Sequence, residues 1–526
     1  MGILSTLPIE ALFSSATGFM IFKLRGNPML NIVPSLSKSQ YVKGAQCSLS
    51  LWYSRNRKDL TPPVDASQQA MFDAGNEIGN WAKKCFPNGV EVMAVHYAVT
   101  DGIQMTKDFI ESRQNVIFEA TAINPTDGTY SRIDILRRVE GTDTWDMIEV
   151  KGSTSVKDYH LEDMAFQYRV FTGAGYNINQ CLMMVIDNQY VRDGDINPNK
   201  LFRLEDITRV VQGKQAEVER TLSGLSTVMQ SSEEPIVKIG ARCFRPFECG
   251  YMPHCWKAVP DYSIYNVYTK EKAEEIVENL GSYGVESLPP ELRPTGIKGL
   301  DVQSYIDGEV YVEPENIRRF LNGLQYPLYY LDYETIGSAI PPFDGARPFQ
   351  AVPFQFSLHV QDTPDAELKH FDFLHREQSD PRPAFIEALI SLCGNAGSVV
   401  TYNQAFEEGV NKGLMVAFPD YKDQIQAINV RMVDLLVPFK KRWLYHPNQH
   451  GSASIKKVLP AFTKETYDGM GISNGLDASS QYANFMQNGL PDADSETLFK
   501  NLTEYCCLDT YAMKVLVDVL REKGME

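Results

Sequence analysis

Apolar and polar positions alternate in two separate groups along the chain, and each group predicts its own set of strands. In the first half, Val116-Ile-Phe-Glu-Ala120, Ser131-Arg-Ile-Asp-Ile-Leu136 and Trp145-Asp-Met-Ile-Glu-Val-Lys151 read as three successive strands. A helix over about 158–172 and the apolar run 181–186 follow, and a further helix is expected near 68–84, giving the order α-β-β-β-α-β. In the second half, Leu328-Tyr-Tyr-Leu-Asp-Tyr-Glu-Thr335 is an apolar strand that ends in two carboxylates. The intervening stretch predicts a helix over 270–279 and a proline-rich turn at 288–294, so it reads as a structured connector. The fold class expected is α/β (α+β).

A strand repeats every two residues, so Asp332 and Glu334 point to one face. Two anions buried side by side cost several kcal/mol unless a cation compensates them, which asks for a divalent metal. Further acidic candidates lie downstream, at Glu407 in Tyr402-Asn403-Gln-Ala-Phe406-Glu407 and at Asp509 in Tyr505-Cys-Cys-Leu-Asp509. On a helix the four-residue spacing brings Tyr505 and Asp509 to the same side.

These motifs, in this order, resemble the tyrosine-containing DEDD branch of the ribonuclease H-like 3'-5' exonucleases, over roughly residues 325–526. The resemblance implies that Asp332, Glu334, Glu407 and Asp509 hold two Mg2+ or Mn2+ ions about 4 Å apart, which activate a water and stabilise the leaving oxygen. Tyr505 would orient that water. The family has Asp at its second motif where this chain offers Glu407, with Glu408 beside it; the extra methylene bears on metal preference, because Mg2+ demands stricter geometry than Mn2+.

The 526 residues predict two or more domains, and 43 % apolar residues supply ample core. A net charge of −17 excludes nucleic-acid binding by bulk charge, so any such binding must be local. Arg431, Lys440, Lys441, Arg442, Lys456 and Lys457, opposed by Asp434, are one basic candidate for a phosphate track, with an ordinary solvated surface an equal reading. Tyr333, Phe354, Phe356 and Phe406 are aromatic candidates for stacking on bases, although core packing is the expected role for most of them. No run is apolar for long enough to span a bilayer, and the basic residues Lys23 and Arg25 follow the apolar segment 9–24 where a signal peptide would carry them first. A cytoplasmic protein is expected. The opening Met-Gly-Ile-Leu-Ser-Thr is a loose match to a myristoylation pattern.

Of nine cysteines, Cys243, Cys249 and Cys255 cluster with a regular spacing and Cys47 lies far upstream. Cys85, Cys181, Cys393, Cys506 and Cys507 stand in apolar contexts and read as core thiols. An odd count argues against a disulfide framework, and four thiolates suit either a [4Fe-4S] cluster or a structural Zn2+. Between them, Asp134, then Glu149-Val-Lys151, then a helix carrying Gln167 follow the pattern of the PD-(D/E)xK nucleases. Asp134 and Glu149 would hold a metal, Lys151 would stabilise the developing hydroxide and Gln167 would position DNA or the lysine. Such a core bracketed by one upstream and three downstream cysteines resembles the iron-sulfur RecB-type nucleases, including those of CRISPR adaptation. By that resemblance Cys47, Cys243, Cys249 and Cys255 ligate the cluster. The metal-binding histidine common in that family's early helix is replaced by Gly79, with Glu77 or Glu119 as possible substitutes, and the family's Cys-x2-Cys-x5-Cys spacing is not reproduced.

The expected organisation is an extension over 1–28, an iron-sulfur PD-(D/E)xK domain over 29–256, a connector over 257–324 and a ribonuclease H-like domain over 325–526. The whole arrangement resembles a prokaryotic family known only as a domain of unknown function. That match brings no biological role with it; the motif resemblances imply a metal-dependent nuclease acting on DNA rather than RNA, expected to work in repair, recombination or defence. The alternatives are an RNA-processing exonuclease, or a first half that binds DNA without cutting it.

Overall fold

The computed structural model describes residues 33, 35–64, 66–94 and 98–525. The expected extension over 1–28, with its apolar segment and N-terminal glycine, lies outside the described residues. The molecule is a mixed α/β assembly built on two mixed sheets.

The first sheet has six strands in sequence order: β1 (Val90–Glu91), β2 (Val116–Ile123), β3 (Tyr130–Arg138), β4 (Trp145–Lys151), β5 (Ile178–Ile186) and β6 (Phe202–Asp206). The β2-β3-β4 meander is antiparallel, whereas β1 joins β2 and β5 joins β4 in parallel. Three helices used below are α1 (Lys38–Gln46), α2 (Ala66–Lys83) and α3 (Asp158–Gly173). Helix α3 is the crossover between the parallel pair β4 and β5, which cannot be joined by a tight turn. It buries Met164, Phe166, Val170 and Phe171 against the sheet. The opposite face of β4 and β5 presents Ile148, Leu182 and Met184 to Ile78 and Ala82 of α2. Two-sided cover explains why β5 reads over 181–186 as a continuous apolar run instead of an alternating one. The short strands β1 and β6 and a helix at Val99–Glu111 add to the predicted order.

The second sheet comprises β7 (Leu328–Ile336), β8 (Val352–Gln361), β9 (Lys369–Leu374), β10 (Ser398–Thr401) and β11 (Met432–Asp434), in spatial order β9-β8-β7-β10-β11. Only β8 runs against the other four. Alternation along β7 sends Tyr329, Leu331 and Tyr333 to a layer containing Phe385 and Leu414, and Leu328 and Tyr330 to a layer containing Leu516 and Val517. Helix α4 (Gln404–Ala417) belongs to the first layer, and α5 (Asp492–Met525) covers the second. At 34 residues α5 is about 50 Å long.

The stretch between the sheets is helical at Lys270–Leu280, as predicted, and also at Gly296–Asp307 and Pro314–Asn322. It has a core of its own around Tyr262, Ile264, Ile276 and Val302. A buried bidentate pair, Arg442 with Asp301 at 2.6 and 3.0 Å, ties it to the second sheet's half. The two halves also meet directly: Ala339 and Ile340, just beyond β7, pack into the α2 core, and Arg192 donates to the carbonyls of Pro341 and Pro342.

Candidate active sites and cysteine cluster

Strand β7 sets the first site. Asp332 and Glu334 follow Leu328 and Tyr330 on the face that α5 covers, and α5 brings Tyr505 and Asp509 to them. Ligand oxygens of Asp332, Glu334 and Asp509 lie within 4.8 Å of one another, as the strand and helix periods predict. The ladder is irregular at Glu334/Thr335, so β7 bends as it delivers Glu334 to the mouth of a cavity of about 570 Å³.

Glu407, in the first turn of α4, is 1 % exposed, and its Oε2 has no hydrogen-bond partner. Its neighbour Glu408 instead accepts from Gln404 and pairs with Lys412 at the surface, so Glu407 is the inward carboxylate. Burial raises Glu407 to about 8, and burial with Asp509 close by raises Glu334 to about 8. Asp332 is pushed well above the carboxylate range by burial and by Asp509, Glu334 and Glu407. Asp509 rises to about 6 through burial, held back by the Tyr467 hydroxyl, which donates to its Oδ1 at 2.6 Å, and by Lys456. Asp332, Glu334 and Asp509, three converging carboxyls that resist ionisation, fit a divalent cation, and Glu407 with its orphaned oxygen stands outside that close triad. Burial and the three carboxylates push the Tyr505 phenol up, so it remains a hydrogen-bond donor.

Core packing, the role expected for most of the four aromatic candidates, holds for three of them. Tyr333, Phe354 and Phe356 are core residues; Phe406, 41 % exposed, and Phe349, 44 % exposed, are the aromatic residues open at the cavity wall. The basic run is not a continuous track. Arg442 is buried on Asp301, Arg431 caps carbonyls of Cys393, Gly394 and Ala396, and Lys456 donates to the Ser473 carbonyl beside the Tyr505 ring. Lys440, Lys441 and Lys457 alone remain exposed. Tyr467 and Cys506, whose thiol lies 3.9 Å from Asp332 Oδ2, were not picked out by any local pattern.

In the first sheet, Asp134 sits beside an irregular stretch of the β2-β3 ladder and its Oδ2 accepts the Val150 amide at 2.7 Å. Glu149 and Lys151 share a face of β4, with Lys151 Nζ 2.8 Å from Glu149 Oε1. Lys38 of α1 reaches the same oxygen at 2.8 Å, and Gln167 of α3 donates to Oε2 at 2.8 Å. Asp163, one turn before Gln167, completes the network 2.7 Å from Lys151. Burial works against a charged Glu149, but Lys151 and Lys38 outweigh it and hold the group well below the usual range. Asp134 rises to about 7 through burial and the Glu149 charge. The predicted quartet therefore converges, with Lys38 and Asp163 as members that sequence spacing could not show. Neither proposed substitute for a histidine joins it: Glu77 accepts from Gln487 and Glu119 pairs with Lys83, while Gly79 faces open space. A cavity of about 850 Å³ opens beside Lys38, Lys151 and Asp163.

Cys47, Cys243, Cys249 and Cys255 wall a single cavity with Tyr53, Tyr251 and Trp256. Cys47 stands at the break between α1 and the helix Ser48–Asn56, and the Cys249 amide donates to the Cys243 carbonyl at 2.8 Å. Burial and the other three thiols raise Cys255 to about 11, and burial raises Cys47. Four thiols around one small cavity fit a bound cation or cluster. Of the expected core thiols, Cys181, Cys393 and Cys506 are buried and Cys85 is half-buried. Cys507 differs, lying with His359 and His370.

Among the described residues no helix is long and apolar enough to cross a membrane. Residues 329–454 match a family described as "Domain of unknown function (DUF2779)", a segment that contains Asp332, Glu334 and Glu407 but not Tyr505 or Asp509. The chain is 27 % identical over 225 residues to "Uncharacterized protein UU173" of Ureaplasma parvum, covering 37 % of this chain and 32 % of that protein. It is 27 % identical over 203 residues to "Uncharacterized protein MG366 homolog" of Mycoplasma pneumoniae, covering 35 % and 30 %. The chain thus spans about a third of the length of the curated relatives it matches.

Proposed function

We propose that the chain is a metal-dependent nuclease whose second half is a ribonuclease H-like 3'-5' exonuclease acting on DNA. The observation that carries this reading is the convergence of Asp332, Glu334 and Asp509 within 4.8 Å, beside the buried Glu407 and under the Tyr505 phenol. The strand order β9-β8-β7-β10-β11 with only β8 reversed supports it, because that is the ribonuclease H-like arrangement. Asp332, Glu334, Glu407 and Asp509 would hold Mg2+ or Mn2+, which lowers the pKa of water and neutralises charge on phosphate oxygens. The chain's own groups do the rest. Tyr467 fixes Asp509, Tyr505 donates a hydrogen bond at the cavity floor, and Lys456 places a positive charge beside both phenol rings. Phe349 and Phe406 offer faces for a terminal base.

The gathering of Asp134, Glu149, Lys151 and Gln167 supports a PD-(D/E)xK reading of the first half, in which Cys47, Cys243, Cys249 and Cys255, which wall one cavity, would hold an iron-sulfur cluster that pins its two ends. Two cutting halves would be compatible with a role in repair, recombination or defence. One observation favours a second reading for this half, as a module that grips DNA: Glu149 is already neutralised by Lys38 and Lys151. End-labelled single-stranded and duplex DNA, with matched RNA, digested in Mn2+ or Mg2+ by wild type, Asp332→Ala and Lys151→Ala, tests both. Loss of 3'-end trimming in Asp332→Ala is expected. A separate activity lost only in Lys151→Ala establishes two cutting sites, and unchanged cleavage by Lys151→Ala favours the gripping module. Preference for RNA redirects the substrate assignment, and absence of metal-dependent cleavage by folded wild type on all of these substrates refutes the nuclease reading.

A further inference from the structure

His359 on β8 and His370 on β9 are directly opposed partners of the antiparallel ladder, and their rings lie 4.5 Å apart between centroids. Helix α5 places Cys507 against this pair, so that one ring nitrogen from each histidine and the Cys507 sulfur lie within 4.8 Å of one another. Three elements separate in sequence thus converge two imidazoles and a thiol on one point. Hydroxyl groups steady both rings: Thr510 Oγ1 is 2.8 Å from His359 Nδ1, Ser357 Oγ is 3.0 Å from His370 Nε2, and the two hydroxyls are 2.7 Å apart. Metal-binding histidines characteristically have such outer partners, which set ring orientation. Asp372, two residues beyond His370 on the same strand face, is near enough to act electrostatically on both His370 and Cys507.

We propose that His359, His370 and Cys507 form a metal site of their own, which takes a single borderline-soft cation of the Zn2+ class. Two imidazoles and one thiolate suit Zn2+ or Co2+ better than Mg2+ or Mn2+, which favour oxygen donors. None of the three is a member of the carboxylate set or of the four-cysteine set. The bound ion would fasten α5 to β8 and β9. Cys506, adjacent on α5, touches Asp332, and Asp509 is two residues further on, so the ion would hold the helix that presents Tyr505 and Asp509 in register with β7. The proposal is independent of the nuclease reading, since it concerns ligand chemistry and helix attachment alone.

Co2+ titration of the chelator-treated full chain, read as a difference absorption spectrum, tests it. Wild type should show visible bands of low-symmetry Co2+ together with a thiolate-to-Co2+ charge-transfer band in the near ultraviolet. His370→Ala should weaken this binding at least about tenfold, and Cys507→Ala should remove the part of the charge-transfer band that this site contributes. Co2+ taken by the four-cysteine set persists in His370→Ala, so the wild-type minus His370→Ala difference isolates the proposed site. His370 is exposed, and its replacement leaves the sheet ladder intact, which keeps that variant folded by circular dichroism. A charge-transfer band undiminished in both variants, or no difference between wild type and His370→Ala, overturns the proposal.

Discussion

Replacing Glu334 by Gln should stabilise the metal-free protein at alkaline pH while abolishing its response to Mn2+. The Glu334 carboxyl lies 7 % exposed beside Asp332 and Asp509, and its pKa is raised from the ordinary 4.5 to about 8. A folded-state value above the unfolded one means full stability below pH of about 4.5, lost as the pH rises through about 8. At 1.36 kcal/mol per decade, the loss attributable to this carboxyl is of order 4 kcal/mol at pH 8. Glu334→Gln keeps the shape without the charge and escapes that loss. In chelator, wild type should therefore melt progressively lower from pH 5 to pH 8, and Glu334→Gln should melt several degrees above it at pH 8 while matching it near pH 5. Mn2+ at pH 8 should raise the midpoint of wild type by binding the folded state alone, and leave the variant nearly unmoved. Thermal unfolding followed by circular dichroism at the two pH values, with EDTA or Mn2+, reads all four conditions. A variant that melts at or below wild type in EDTA at pH 8 refutes the argument that uncompensated carboxylate charge strains this site.

The remaining predictions address other parts of the molecule. Tyr505→Phe should lower the rate of 3'-end trimming at least about tenfold while leaving the unfolding midpoint within a degree or so of wild type, because its hydroxyl acts on the reaction and its ring on the core; single-turnover digestion and a melting curve together measure this. Lys38→Met should cost the metal-free protein about 1–3 kcal/mol in denaturant unfolding, since it removes one of two cations from the buried Glu149. Asp301→Asn should cost about 3–5 kcal/mol by leaving Arg442 buried without a counter-charge, measured as a shift in the urea midpoint. Cys249→Ser in anaerobically purified protein should abolish the visible absorption of an iron-sulfur cluster and render the first half sensitive to protease; retained absorption with full iron content would remove Cys249 from the ligand set.

Periodicity made the strands of the candidate sites legible because the candidate side chains obey it. Asp332 and Glu334 alternate with Leu331 and Tyr333, Glu149 and Lys151 flank the apolar Val150, and Tyr505 and Asp509 are one helical turn apart. Residues recruited from distant elements left no such mark. Lys38 reaches Glu149 across 111 positions, and Tyr467 reaches Asp509 from a loop, so only the folded chain shows them. The basic run misled for the same reason, since sequence proximity does not reveal that Arg442 turns inward to Asp301. Cys507 looked like its neighbour Cys506, yet successive helical residues point about 100° apart, one to Asp332 and the other to the histidine pair.

The two carboxylate centres are alike in motif and opposite in electrostatics, and this difference ranks their need for metal. Around Glu149 the protein supplies Lys38 and Lys151 within 2.8 Å, and Gln167 satisfies the second oxygen, so the folded chain is close to neutral there without a divalent ion. An incoming cation must displace or crowd a lysine, and only Asp134, raised to about 7, gains from its arrival. Around Asp332, Glu334 and Asp509, Lys456 is a cation that acts on the group, and it is drawn off toward the Ser473 carbonyl and the Tyr505 ring. Metal affinity should accordingly be higher in the second half. In a Mn2+ titration, binding lost in Asp332→Asn should saturate at lower concentration than binding lost in Asp134→Asn, and Lys38→Met should strengthen the weaker of the two. The reverse order would mean that the lysines at Glu149 swing away when the ion enters, and that their ion pairs describe only the metal-free state.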